Sequence, residues 1–167
     1  MAPAHRTYVA ILGHDAAASF RRAAGGQLPL DPATALRPAP GDRVAVLSVR
    51  GPLFFSEAAF VATATVVGDD GSALRLRRRV LVPERHPVAL HSLPSLRVSA
   101  GWTHGALGGL RGAAVACTPR DLERIEAAVL AAAHAHGPRP KRPQHRRPRT
   151  PGRRALMAGR AAVGSRP

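Results

Sequence analysis

An α+β fold is predicted for this chain of 167 residues: a small, mixed, partly open β-barrel with helices at its side. Three stretches carry that prediction. Leu74 to Val82 alternates apolar residues with arginine, as a half-buried strand does. Ala113 to Cys117 is a short apolar strand. Thr118-Pro119-Arg120-Asp121 then opens a helix in which Leu122, Ile125 and Val129 recur along one face. Thr118 suits the N-cap, Pro119 the first helical position, and Asp121 can reach back to complete a capping box.

The remaining elements follow from the N-terminus. Tyr8 to Leu12 is a short apolar strand, and Ala16 to Ala24 a helix capped by Asp15 and stopped by Gly25-Gly26. Gln27 to Pro40 carries four prolines and no period, so it is assigned to a loop. Arg43 to Val49 is apolar on both faces and therefore central in the sheet. Arg50-Gly51-Pro52 breaks it, and Phe54 and Phe55 follow in a loop. Phe60 to Val67 is the clearest strand, and Gly68-Asp69-Asp70-Gly71 turns it antiparallel into the arginine strand. Val88 to Leu96 is short and irregular, and Ser99 to Gly112 is glycine-rich. Tight turns join the central strands, which disfavours a doubly wound parallel sheet.

Charge divides the chain in two. Residues 1–136 hold 15 basic and 10 acidic groups, a net of +5, and form the predicted domain. Residues 137–167 hold 10 basic groups and no acid, interleaved with proline, a composition that cannot bury enough apolar area to order itself. This disordered basic tail points to an acidic polymer or surface, although 24 of the 25 basic residues are Arg, as a GC-rich genome would also produce. One cysteine, Cys117, rules out an internal disulfide and fits a reducing, cytoplasmic setting. No apolar run approaches the roughly 20 residues of a membrane span. Asp15 interrupts the only candidate for a signal-peptide core.

Enzyme chemistry finds little support. There is no Gly-rich phosphate loop, no cysteine set for zinc and no Gly-x-Ser-x-Gly elbow. His86 with His91, and His134 with His136, lack a third metal ligand, so no metal and no cofactor are expected. Six of the ten acids (Asp31, Asp42, Asp69, Asp70, Asp121 and Glu126) are assigned to turns or helix surfaces.

The order of these pieces resembles the EVE domain of the PUA-like superfamily, over about residues 6–130. The matching parts are the first strand, His14-Asp15 with its helix and Gly25-Gly26, and Pro40-Gly41-Asp42 before an apolar strand. Phe60-Val61-Ala62-Thr63-Ala64-Thr65-Val66, Arg77-Arg78-Arg79-Val80, Trp102, Leu110-Arg111-Gly112 and Thr118 to Ile125 complete the set. The resemblance implies a PUA-like barrel whose pocket takes a flipped, often modified, nucleobase between aromatic side chains, methylated or hydroxymethylated cytosine above all. Ala16, Gln27 and Val46-Leu47 stand where family members carry a histidine, an aromatic and a tyrosine pair.

The expected partner is therefore DNA or RNA, the chain binding without catalysis, with a monomer preferred. Stacking contributes about 1–3 kcal/mol per base, so a base reader needs flat walls; Tyr8, Phe54, Phe55, Phe60 and Trp102 are the aromatics on offer. Candidate binding residues are Tyr8, Ser48, Phe54, Phe55, Arg77, Arg78, Arg79, Trp102 and Arg111. Arg78 shares a strand face with Leu74, Leu76, Val80 and Val82, where a guanidinium is costly unless paired. It therefore either points into the barrel mouth to meet a base edge or phosphate, or is turned to solvent by a β-bulge. Arg75, Arg77 and Arg79 form a cationic stripe on the other face. Two other readings are carried: a degenerate barrel used for protein contacts, its pocket filled by Leu47, Leu107 or Leu110, and a small hydrolase using Ser48 or a histidine.

Overall fold

A computed structural model describes residues 6–23, 26–31, 36–51, 57–94, 96, 107 and 109–136. The loop with Phe54 and Phe55, the segment with Trp102 and the basic tail lie outside the described residues. The elements run β1 (Thr7–Gly13), α1 (His14–Arg22), β2 (Gly26–Pro29), β3 (Arg43–Arg50), β4 (Glu57–Asp69), β5 (Ala73–Leu81), β6 (Val88–Ala89), a 3-10 turn (Leu90–Ser92), β7 (Ala113–Ala116) and α2 (Pro119–His136).

The strands form an open, curled sheet in the order β2-β5-β4-β3-β1-β7, with β6 paired to β4. Only β1 and β3 pair in parallel; the other described pairs are antiparallel. Curling comes from three β-bulges. Val61 stands unpaired between Val46–Ala62 and Leu47–Phe60. Val67 does so between Val66–Leu76 and Gly68–Arg75, and Arg79 on β5 between Ala64–Arg78 and Thr63–Val80. The sheet's two edge strands approach one another where Asp31 N–H donates to the Gly112 carbonyl at 2.8 Å. Gly112 has φ +82°, and a Cβ there would meet Asp31 Cβ at 3.4 Å, so both backbone hand and space favour glycine.

Each face of the sheet is covered by its own helix. Tyr8, Ala10, Leu12, Val44, Val46, Leu74 and Leu76 pack with Phe20 of α1. Val9, Ile11, Ala45, Leu47, Val49 and Phe60 pack with Leu122, Ile125 and Val129 of α2. This explains why β1 and β3 are apolar on both faces: each strand feeds two cores. The bulge at Arg79 transfers β5 from one core to the other, since Leu74 and Leu76 lie in the first and Val80 and Val82 at the second.

Several expectations need correction. Helix α1 begins at His14 behind Gly13, with no side-chain cap, so Asp15 sits in the first turn and is not the cap. The helix ends at Arg22, and Gly26 belongs to β2, a four-residue strand inside the stretch assigned to a loop. Strand β4 runs to Asp69, which moves the hairpin turn toward Ser72. Asp42 and Asp121 are buried. Asp42 accepts N–H bonds from Arg6 and Ala39, each 2.8 Å, and so ties the start of β3 to β1. Thr118 caps α2 as expected, its Oγ1 accepting from the Asp121 N–H at 3.1 Å.

Candidate functional site

Between α1 and the β3–β4 hairpin lies a cavity of about 160 Å³. Its floor is Ala59 and Val61; its helical wall is His14, Ala17, Ala18 and Arg21. Ser48, Arg50, Glu57, Glu84 and Pro87 complete the lining. Register explains the polar groups. Ser48 lies opposite Ala59 and Arg50 opposite Glu57, so the two strands bring a hydroxyl, a guanidinium and a carboxylate to one rim. Arg21, half-buried, donates from Nη1 to the Val82 carbonyl at 2.6 Å. Burial pulls its pKa below the ordinary arginine value, and the nearby Glu84 carboxylate works against that shift. The lining thus carries two guanidinium groups, two carboxylates, a hydroxyl and an imidazole. Formal charge balances, so the cavity presents donors and acceptors together without a net field for an anion.

The expected site residues are spread more widely than one pocket. Ser48 lines the cavity. Arg111 braces its edge, donating from Nη2 to the carbonyl of Gly51, the residue after Arg50, at 2.5 Å. Tyr8 is not a wall: it is 3% exposed, inside the α1-side core. Phe60 is likewise buried, on the α2 side. Phe54, Phe55 and Trp102 fall outside the described residues, as stated. The described residues on either side of Phe54 and Phe55 are Gly51 and Glu57, and Glu57 lines the cavity.

Arg78 adopts neither of its two expected positions. Its guanidinium donates to the carbonyl of Arg21 at 3.0 Å and to that of Ala23, and lies 5.8 Å from the Phe20 ring centroid. These are the orphan carbonyls at the end of α1, so Arg78 serves as that helix's C-terminal cap. The bulge exists but falls one residue later, at Arg79, and leaves Arg78 facing inward. Arg77 is exposed on the other face of β5. Arg79 Nη1 lies 3.1 Å from Glu126 Oε1, and Arg43 pairs with the same carboxylate.

Sequence reasoning missed Arg21, Arg50, Glu57 and Glu84, and gave His14 only a helix-start role. Arg50 and Glu57 had a legible signal, since they bracket a hairpin connection and must face each other if it closes. No such signal marks Arg21 or Glu84, which come together only through tertiary packing.

Among the described residues, the other chemistry-bearing groups do not assemble into a second centre. The His86 and His136 rings stack at 3.8 Å between centroids and 14° between planes, which points their nitrogens sideways and not at a shared ion. Among the described residues no three His, Cys, Asp or Glu side chains are grouped to hold a metal. Cys117 is half-buried, and burial pushes its thiol up to about 11, which keeps it protonated near neutrality. No described helix is long and apolar enough to cross a membrane. No protein-family model, curated protein or solved structure matches the chain.

Proposed function

We propose that this chain is a nucleic-acid-binding module, of the PUA-like EVE kind, that takes one flipped base into the cavity beside α1. The observation that carries this reading is the cavity itself. A space of about 160 Å³ matches a single six-membered ring, since a void of about 150 Å³ is enough for benzene. Its charge-balanced rim suits the donor–acceptor edge of a base better than a phosphate. Leu47, Leu107 and Leu110, which would have filled a degenerate pocket, belong to the opposite core. The order of elements that resembles the EVE domain supports the same reading, and the basic tail adds phosphate affinity independent of sequence.

The test compares single-stranded oligonucleotides carrying plain, methylated or hydroxymethylated cytosine with one of equal charge carrying an abasic site. The full chain should bind the abasic strand at least several-fold more weakly. Ala18→Leu, which plugs the cavity from a helical position, should abolish that difference. Equal binding of abasic and intact strands by the wild type overturns base capture.

A second reading, a barrel for protein contacts without base binding, is favoured by one feature. A groove of about 280 Å³ beside α2, where Val80, Ala127 and Leu130 lie among Arg79, Glu123 and Glu126, leaves Leu130 43% exposed. It expects Ala18→Leu to leave every nucleic-acid affinity unchanged.

A further inference from the structure

The sheet has an uncovered corner on the face opposite the cavity. Leu74 and Leu76 point into the α1-side core, so Arg75 and Arg77 project from the other side. Both are exposed, and among the described residues neither has an acidic partner within ion-pair distance. Their strand neighbours on this face are Gln27, opposite Arg75, and Thr65, opposite Arg77. Val67, 49% exposed, lies beside them.

Of the acids closest in sequence, Asp70 lies near enough to Arg75 for its carboxylate to feel that charge, but Asp69 and Asp70 make their hydrogen bonds to other groups. Asp69 binds Arg37 and the Gly71 N–H, and Asp70 accepts from the N–H groups of Ser72 and Ala73. A Cβ on Gly68 would come within 2.6 Å of Arg75 Nη2, so the guanidinium lies directly over the bare backbone of β4. Residues i and i+2 of a strand are separated by roughly 6.8 Å, a repeat comparable to that of successive phosphates along one strand. Guanidinium groups, with their forked donors, match phosphate oxygens better than ammonium groups do.

From these placements we infer that Arg75 and Arg77 form a phosphodiester-binding surface on the sheet face opposite the cavity, so that one molecule engages two separate segments of nucleic acid. The inference rests on the nucleic-acid reading above for the identity of the partner, and on the uncovered corner for its location. A nucleotide seated in the cavity lies across the sheet from this surface, so the two contacts belong to different stretches of strand.

The full chain, tail included, is titrated with a 20-nucleotide oligothymidylate over a range of salt concentrations, with R75Q/R77Q beside it. A second variant, R22Q/R120Q, removes two exposed arginines elsewhere. Losing two single-strand phosphate contacts should lower the slope of log affinity against log salt by about 1.4, and R22Q/R120Q should leave it unchanged. R75Q/R77Q should also reduce, several-fold, the capture of a second labelled oligonucleotide by protein held on an immobilised one. An unchanged slope in R75Q/R77Q overturns the proposal, as does an equal fall in R22Q/R120Q. So does equal weakening of binding to polyglutamate of matched charge, which would assign the corner to acidic protein chains. Failure here is distinguishable from failure of the base reading. The effect of R75Q/R77Q should be the same on abasic and intact strands, whereas Ala18→Leu should act on the intact strand alone.

Discussion

Arg78 shows how far a single residue's role depends on what lies across the fold. Strand alternation placed it on the inward face, and that is where it lies. What alternation could not supply was its partner, because the carbonyls of Arg21 and Ala23 are more than fifty residues away in sequence. Removing the guanidinium strands those carbonyls, so Arg78→Ala should cost about 1–3 kcal/mol in urea unfolding. Lysine, with a compact ammonium in place of a fork, should restore only part of that loss. An Arg78→Ala domain as stable as the wild type would return the residue to the list of ligand contacts. Cys117 offers a second check. Its folded pKa is raised to about 11, above the ~8.5 of an unfolded thiol, so the folded chain holds that proton more tightly. The stability it contributes is therefore full below the unfolded value and is lost as the pH climbs toward about 11. Cys117→Ala should remove that alkaline loss, read as the difference between the two pH–stability curves.

Among the elements, those with a clear period were legible and those shaped by their neighbours were not. Helix α2 combines a Thr118 cap, Pro119 and an apolar face, and the structure uses all three. Thr118→Ala should therefore cost about 1 kcal/mol in the same unfolding assay. The aspartate–glycine punctuation around helix α1 is a misleading signal for its caps, since Gly13 precedes it and a distant arginine closes it. Strand β2 was hidden by its brevity and by Pro29, which is tolerated there because β2 lies at the sheet edge. Two of the bulges leave no pattern in the sequence, whereas Arg78 among apolar positions hints at the third, at Arg79, which is the reason Val80 and Val82 leave the face of Leu74 and Leu76. Part of the cavity is legible in such reasoning: Ser48 is the polar side chain within an otherwise apolar strand, while Arg21 and Glu84 need the curl of the sheet to meet it.

For the molecule as a whole, one sheet shared by two cores makes a statement about cooperativity. Phe20 anchors the first core and Ile125 the second, and both side chains are fully buried. Alternate residues of β1 and β3 enter opposite cores, so neither core can dissolve without disturbing the backbone that orders the other. Phe20→Ala should cost about 3–5 kcal/mol and Ile125→Ala about 2–5 kcal/mol through lost burial and the cavity left behind. More telling than the size of either loss is its form. In both variants, far-UV circular dichroism and the near-UV signal of the buried Tyr8 should report one coincident urea transition at a lower midpoint. Two separated transitions in either variant would mean that the helices are independent attachments to the sheet. The cavity beside α1 and the arginine corner on the opposite face could not then be treated as parts of one rigid body.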